Sequence, residues 1–391
     1  MIIHVFVDVY PHPFKPYFDV QLEEWEKMGH KVKVFSLSRI PGSFSPMSVK
    51  TLKTLRNAPI ELCIKIVLAF MRSPVRTFSI LSKDGNILEK IKLLAVDSQL
   101  PREAPDLIFV HNLAACVRFA YLKEILPNVP FSMYYHGGEI PGVPAIPPQQ
   151  AKHALMAPDI VFSNTKYSIG DAICRGAPAS KVRCVPVGFR LEDYPLDIPR
   201  KYMKDGYMNI ISAGRIALEK GIDIAILALE KLHKQKIVKF KYVIVGDGPE
   251  MQNIISLVHE RGLTEHVEFA GILPHNEVVE RFRNADVLLL PSIVMNNCAE
   301  SQACVMQEAM LVGVVVVASN IGGVSESIPE EMQHLLFMEG DQHQLAHNLY
   351  QLYLSGVANM MKLGAIGREF VMQNYDVKLL NNKLLQESIH K

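Results

Sequence analysis

Glu300 and Glu308 are two carboxylates with seven residues between them. They lie in a stretch, 291–326, that reads as strand end, acidic loop, helix, buried strand and Gly-Gly turn. The helix-like segment 303–311 stops at Gly313, and Val314-Val315-Val316-Val317 follows as a fully buried strand. That order predicts a ligand site at the carboxyl edge of a parallel sheet. Glu308 has Met306, Ala309 and Met310 for neighbours. A carboxylate there must find donors, and the two hydroxyls of a ribose would supply them. Glu300, in the loop before the helix, is placed to accept hydrogen bonds from sugar hydroxyls. Equally, Glu300 reads as a charge favoured at a helix N-terminus, and Glu308 as the partner of a buried cation.

Cations stand at a comparable edge. Gly214-Arg215 and Lys220-Gly221 follow one strand, and Gly246-Asp247-Gly248-Pro249 follows the next. An Arg can engage two oxygens and a Lys acts as a point charge, so the pair beside a Gly turn and a helix start suits a diphosphate. By itself the same pair is also an ordinary solvated surface loop. His136 ends another strand, and Gly137-Gly138 after it leaves backbone bare for a ligand. His111 ends the strand before and reads as cleft-lining or structural. The loop holding His12 and Lys15 opens on the same edge, which makes both acceptor-side candidates; Lys15 would suit an anionic acceptor phosphate.

The elements that must position these groups form two series. Strand 2–9, helix 17–28 and strand 32–37 open the chain as a βαβ unit. Strands 107–110, 131–135, 160–162 and 182–186 follow, each closed by a polar or Gly turn. Residues 191–205 are charged and Pro-punctuated without periodicity, and read as a linker. A second series then runs through 209–212, 242–245, 267–269, 287–290, 314–317 and 335–337. The expected fold class is α/β, with two doubly wound domains facing a cleft, 1–197 and 198–369. A helical tail, about 370–391, is long enough to pack back onto the first. Neither half offers G-x-G-x-x-G after its first strand, so a dinucleotide-dependent dehydrogenase is a poor reading.

With 391 residues the chain is too long for one ordinary core. A net charge of +1 gives no global argument for nucleic acid. Six scattered cysteines without C-x-x-C give no zinc site and fit a reducing compartment. The start of the chain reads as a strand and not a signal peptide, and no run reaches the ~20 apolar residues that span a bilayer. The expected location is cytoplasmic. Segment 48–92 carries nine basic residues against three acidic ones among apolar side chains at helical spacing. It reads either as a peripheral contact with an anionic membrane at its inner face or as a solvated face.

The run G-R-x-x-x-x-K-G, V-G-D-G-P, P-S, E-x7-E-A-M, G-x-x-V-V-A-S and G-G-x-x-E resembles the retaining family 4 glycosyltransferases. Val185-Pro186-Val187-Gly188-Phe189 resembles the segment that precedes the linker in that family. The resemblance covers nearly the whole chain, most densely 209–326. It implies a GT-B fold and a nucleotide-diphosphate sugar donor, UDP- or GDP-linked, with no cofactor. It implies that Gly214, Arg215, Lys220 and Gly246 hold the donor diphosphate. Glu308 would hold the ribose, Glu300 the transferred sugar, and backbone from Ile272 and Leu273 to Pro274 would edge the base. His136 would approach the sugar from the first domain. His136, Arg215, Lys220 and Glu300 are thus the implied catalytic set. Where the family commonly has Gly-Phe-Gly after the first Glu, this chain has Ser301-Gln302-Ala303. Their backbone amides can still serve the donor, and the Ser301 and Gln302 side chains are expected beside the sugar.

No D-x-D occurs, so the resemblance implies metal-independent transfer, with no metal site. The expected acceptor is a glycan or lipid-linked saccharide. Two alternatives remain open: a nucleotide-sugar 2-epimerase of the same architecture, and a non-catalytic nucleotide-sugar-binding subunit.

Overall fold

The computed structural model describes residues 1–10, 16–40, 47–53, 58–82, 87–101, 103–137, 146–195, 200–236, 238–296 and 298–389. His12 and Lys15 lie outside them. Twelve strands are formed among the described residues. The first seven are β1 (Ile2–Val9), β2 (Lys31–Ser38), β3 (Val49–Thr51), β4 (Leu107–His111), β5 (Phe131–Tyr135), β6 (Ile160–Ser163) and β7 (Val182–Cys184). They make one sheet in the order β3-β2-β1-β4-β5-β6-β7. The remaining five are β8 (Met208–Ala213), β9 (Phe240–Val245), β10 (Val267–Gly271), β11 (Val287–Leu290) and β12 (Val315–Ala318). They make a second sheet in the order β10-β9-β8-β11-β12.

Every pairing in both sheets is parallel. A parallel strand needs a crossover, so each strand is followed by helix or loop on a face of the sheet. Both faces are then covered, and strands read as near-continuous apolar runs. Leu107–His111, Phe131–Tyr135, Val287–Leu290 and Val315–Ala318 are buried along their whole length. In both sheets the order reverses at the first strand of the series, β1 or β8, and the loops beyond the carboxyl ends meet there.

A few helix starts are capped by short polar side chains. Asn112 Oδ1 accepts from the Ala115 amide at 2.9 Å, and Thr165 Oγ1 from Ser168 at 3.1 Å. Asp341 caps Gln342–Asn374, a helix interrupted at Gly356, where φ is +75°.

The expected strand at 335–337 is not formed. After Pro329 the chain coils into a 3-10 turn, Glu330–Leu335, and Phe337 alone makes an isolated bridge to Ser319. β3 is three residues long, too short to stand out beside the helices that follow it.

The chain crosses between the sheets twice. At the second crossing the Phe189 amide donates to Tyr375 O at 2.8 Å, and Val377 N to Phe189 O at 3.0 Å. Helix Val377–Ile389 then packs on the first sheet. Leu384 and Leu385 join Phe18, Trp25 and Phe162 in its core, and Ser388 Oγ bonds Ser132 Oγ at 2.9 Å.

Candidate active site

The carboxyl edge of the second sheet is built from three stacked loops. Gly214 N donates to Val245 O at 3.0 Å, and Gly246 N to Gly271 O at 2.8 Å, so the ends of β8, β9 and β10 lie one over another. A Cβ on Gly246 would run into the Gly214 carbonyl oxygen, and both glycines have left-handed φ, +128° and +144°. Glycine is therefore required for the loops to approach this closely. They wall a cleft of about 450 Å³, to which Gly214, Gly246, Ile272, Leu273 and Glu308 all contribute. Cys304 and Val305, at the start of helix Cys304–Leu311, also face it.

Glu308 projects from that helix into apolar surroundings. Tyr194 OH donates to its Oε1 at 3.2 Å, and His275 Nε2 stands 3.7 Å from the same oxygen. Burial pushes the Glu308 carboxyl above the usual carboxylate range, with His275 and Tyr194 offsetting part of the rise. Glu300 has the opposite environment. Burial would raise it, but the Lys220 ammonium and hydrogen bonds from Lys220 and Ser292 outweigh that and hold it below the usual range. Lys220 Nζ donates directly to Glu300 Oε1, and Ser292 Oγ to the same oxygen at 2.8 Å.

Arg215 is paired with Glu219 one turn on, and with Gly214 and Lys220 it lines a small recess adjoining the main cleft. Lys220 is thus held on the acidic loop, while Arg215 sits at the rim.

The first sheet faces this site through β4 and β5. His136 Nε2 lies 3.2 Å from His111 Nδ1, and its ring stacks on Tyr134 at 4.4 Å. The His136 ring is 5.6 Å from that of Tyr17, a residue that lines the main cleft. The turn at Gly137 lies against the acidic loop, for a Cβ there would come 3.2 Å from Ser301 Cβ. The structure therefore brings His111, His136 and the 300–302 loop to one place.

It puts the Ser301 and Gln302 side chains elsewhere than expected. Gln302 is buried, its Oε1 accepting from Val187 N at 2.7 Å and its Nε2 donating to Val187 O at 2.9 Å. Ser301 Oγ bonds Asn164 Oδ1 and Ser168 Oγ. Both side chains fasten the acidic loop to the first domain, Gln302 because the Val187 amide and carbonyl, buried beyond the end of β7, need partners. Ala303 is buried at the helix start.

Residues 197–370 match the family model of glycosyl transferases group 1. Two curated relatives are similar over shorter stretches. The 2-deoxystreptamine glucosyltransferase of Streptomyces kanamyceticus is 32% identical over 42% of this chain and 41% of its own. The amylovoran biosynthesis glycosyltransferase AmsK of Erwinia amylovora is 30% identical over 46% of this chain and 44% of its own. The chain spans about half the length, or less, of these relatives. Among solved structures, HepE of Anabaena in complex with UDP superposes over 99% of both chains, with a TM-score of 0.71 at 19% identity. The two facing parallel sheets and this likeness establish a Rossmann-like, two-domain GT-B fold.

Tyr194, His275 and Tyr17 are cleft residues that sequence reasoning missed. His275 directly follows the loop 272–274 expected to edge a base, so its position was a signal. Tyr194 falls in the aperiodic stretch read as a linker, where nothing marked it. Just before that stretch, Arg190 pairs with Glu23 at 2.6 Å and Glu24 at 3.1 Å, and Tyr194 four residues on lies over Glu308.

Proposed function

We propose that the protein is a retaining glycosyltransferase that takes a sugar from a UDP- or GDP-sugar and delivers it to a glycan or lipid-linked saccharide without a metal. The observation that carries the reading is the cleft at the β8–β10 edge, with a buried carboxylate, Glu308, in its wall and bare glycine backbone opposite. Apolar walls from Ile272 and Leu273 suit a base, and Glu308 suits the paired hydroxyls of a ribose. Gly214, Arg215 and Lys220 then take the diphosphate. The match to group 1 glycosyl transferases supports the reaction class, and the UDP bound in the Anabaena neighbour supports the donor class.

In the transfer, the bond from the sugar's anomeric carbon to the diphosphate oxygen breaks. The acceptor oxygen bonds to that carbon from the same face, and its proton passes to the departing phosphate oxygen. Lys220 and Arg215 stabilise the charge that develops on that phosphate, where preorganised cations are worth most. Glu300 orients the sugar hydroxyls and sets the place of Lys220. His136 meets the sugar from the first domain, with His111 holding its ring.

The test is a thermal-shift panel of nucleoside diphosphates and nucleotide sugars, followed by incubation with the stabilising donor in excess EDTA. A ligand at a hundred times its dissociation constant should stabilise by about 2.7 kcal/mol. Slow release of nucleoside diphosphate, accelerated by a saccharide acceptor, is the expected result. Isomerised donor would point to an epimerase, and abolition by EDTA with rescue by magnesium would count against the metal-free reading.

A further inference from the structure

Tyr194 comes from the segment that joins the two sheets, between β7 and β8, yet it lines the main cleft. It is 3% exposed, and its ring packs edge-on against Phe189 at 6.4 Å and His275 at 6.2 Å. Its hydroxyl lies 3.2 Å from Glu308 Oε1 and 3.3 Å from His275 Nε2. A phenol carries one proton. Burial, and then the Glu308 charge, push the Tyr194 pKa well above its usual value, so the proton stays on the oxygen and the hydroxyl stays a donor. With that proton given to Glu308, the phenol oxygen can accept from a His275 N–H.

The backbone of Tyr194 is held as firmly as its ring. Arg368 Nη1 donates to Tyr194 O at 3.0 Å, and also to the carbonyl of Leu311, the last residue of the helix that carries Glu308. One guanidinium nitrogen thus ties the two groups to a common point. Four residues earlier, Arg190 is paired with Glu23 and Glu24 of the first domain. A buried ring on a main chain fastened from both sides has little freedom, so its hydroxyl is an ordered donor.

A carboxylate offers about four acceptor positions on its two oxygens. The hydrogen bond from Tyr194 and the approach of His275 both fall on Glu308 Oε1. Held there, the group cannot turn about its last bond, and its other positions keep a fixed direction. Two adjacent hydroxyls need such a fixed pair of acceptors, because a freely turning carboxylate must first be ordered at a cost in affinity.

We propose that Tyr194 is a positioning residue for the donor: its hydroxyl fixes the plane of the Glu308 carboxylate so that both oxygens meet the 2′- and 3′-hydroxyls of a ribose. The inference rests on the donor reading given above. It adds that the segment between the sheets, and not the second domain alone, sets a preference for a ribonucleotide.

The experiment is calorimetric titration of the full chain with uridine and guanosine diphosphates and with their 2′-deoxy forms. The unaltered protein should bind the better ribonucleotide about tenfold or more tightly than its deoxy form, the scale of one hydrogen bond to a charged group. Tyr194→Phe keeps the ring and its packing and removes only the hydroxyl. At a melting temperature close to that of the unaltered protein, it should reduce the preference to about threefold or less, chiefly by weakening the ribonucleotide. Glu308→Gln should reduce the preference too, and adding Tyr194→Phe to it should reduce it no further, because the hydroxyl acts through the carboxylate. A tyrosine that served only as packing would weaken both forms by the same factor. That result, a preference kept in full by Tyr194→Phe, or a further fall in the double variant would overturn the inference and leave the donor reading standing. Equal binding of the two forms by the unaltered protein, or binding of neither, would remove the ribose assignment of Glu308 and the inference with it.

Discussion

Gln302 and Val187 are joined by two hydrogen bonds, one in each direction, 2.7 Å and 2.9 Å long. The side-chain amide thus imitates a neighbouring strand for the Val187 backbone, just beyond the end of β7. Both partners are buried. Gln302→Ala would leave a buried N–H and a buried C=O without partners, a cost of about 2 kcal/mol or more. Urea unfolding should show a lower midpoint. An unchanged midpoint would mean that water replaces the amide and the clasp carries no stability.

Lys220 and Glu300 should behave as one unit. Lys220→Ala removes the counter-charge that keeps Glu300 ionised, and should lower turnover by about a hundredfold, the scale of losing one preorganised electrostatic group. Glu300→Ala should cost about as much, and the double variant little more than either alone. Multiplying losses in the double variant would show that the two act separately. Arg215→Ala should also lower turnover strongly; normal activity in both cation variants would remove the phosphate site from this edge.

The two carboxylates should respond to pH in different ways. Glu308 has a raised pKa because of burial. Its neutral form is favoured by folding, so its contribution to stability is present at low pH and is lost as pH rises through its folded-state value. In the proposed site ribose hydroxyls donate to the carboxylate, so nucleotide affinity should run the other way and fall as pH drops into that window. Calorimetric titration with the stabilising nucleoside diphosphate should show this slope, and Glu308→Gln should flatten it. An equal slope in the variant would assign the proton to another group.

Glu326 reaches across from the second domain to cap helix Lys166–Cys174, accepting from Lys166 N at 2.7 Å and Tyr167 N at 2.8 Å. A carboxylate at a helix N-terminus is worth about 1 kcal/mol. Glu326→Gln should keep the shape and lose the charge. Hydrogen exchange at the Lys166 and Tyr167 amides should then quicken several-fold, with core strands unchanged. Identical exchange would show that the cap is not closed in solution.

The sequence by itself determined the alternation of strands and helices, because a parallel sheet covered on both faces writes each strand as an apolar run such as 314–317. It also determined the loop glycines, whose type follows from backbone approach, and the positions of the two carboxylates. Only the tertiary structure decided who meets whom. Tyr194 lies on Glu308 because Arg190 is pinned to the first domain's opening helix, a contact across more than 160 residues. The pairing of His136 with His111 needed two strands set side by side in register. The Gln302 side chain, expected in the sugar pocket, went to Val187 because a buried backbone amide and carbonyl there had stronger need of it. Local pattern encodes what each segment is; the demand that every buried polar group find a partner is met between segments, and no single stretch carries it.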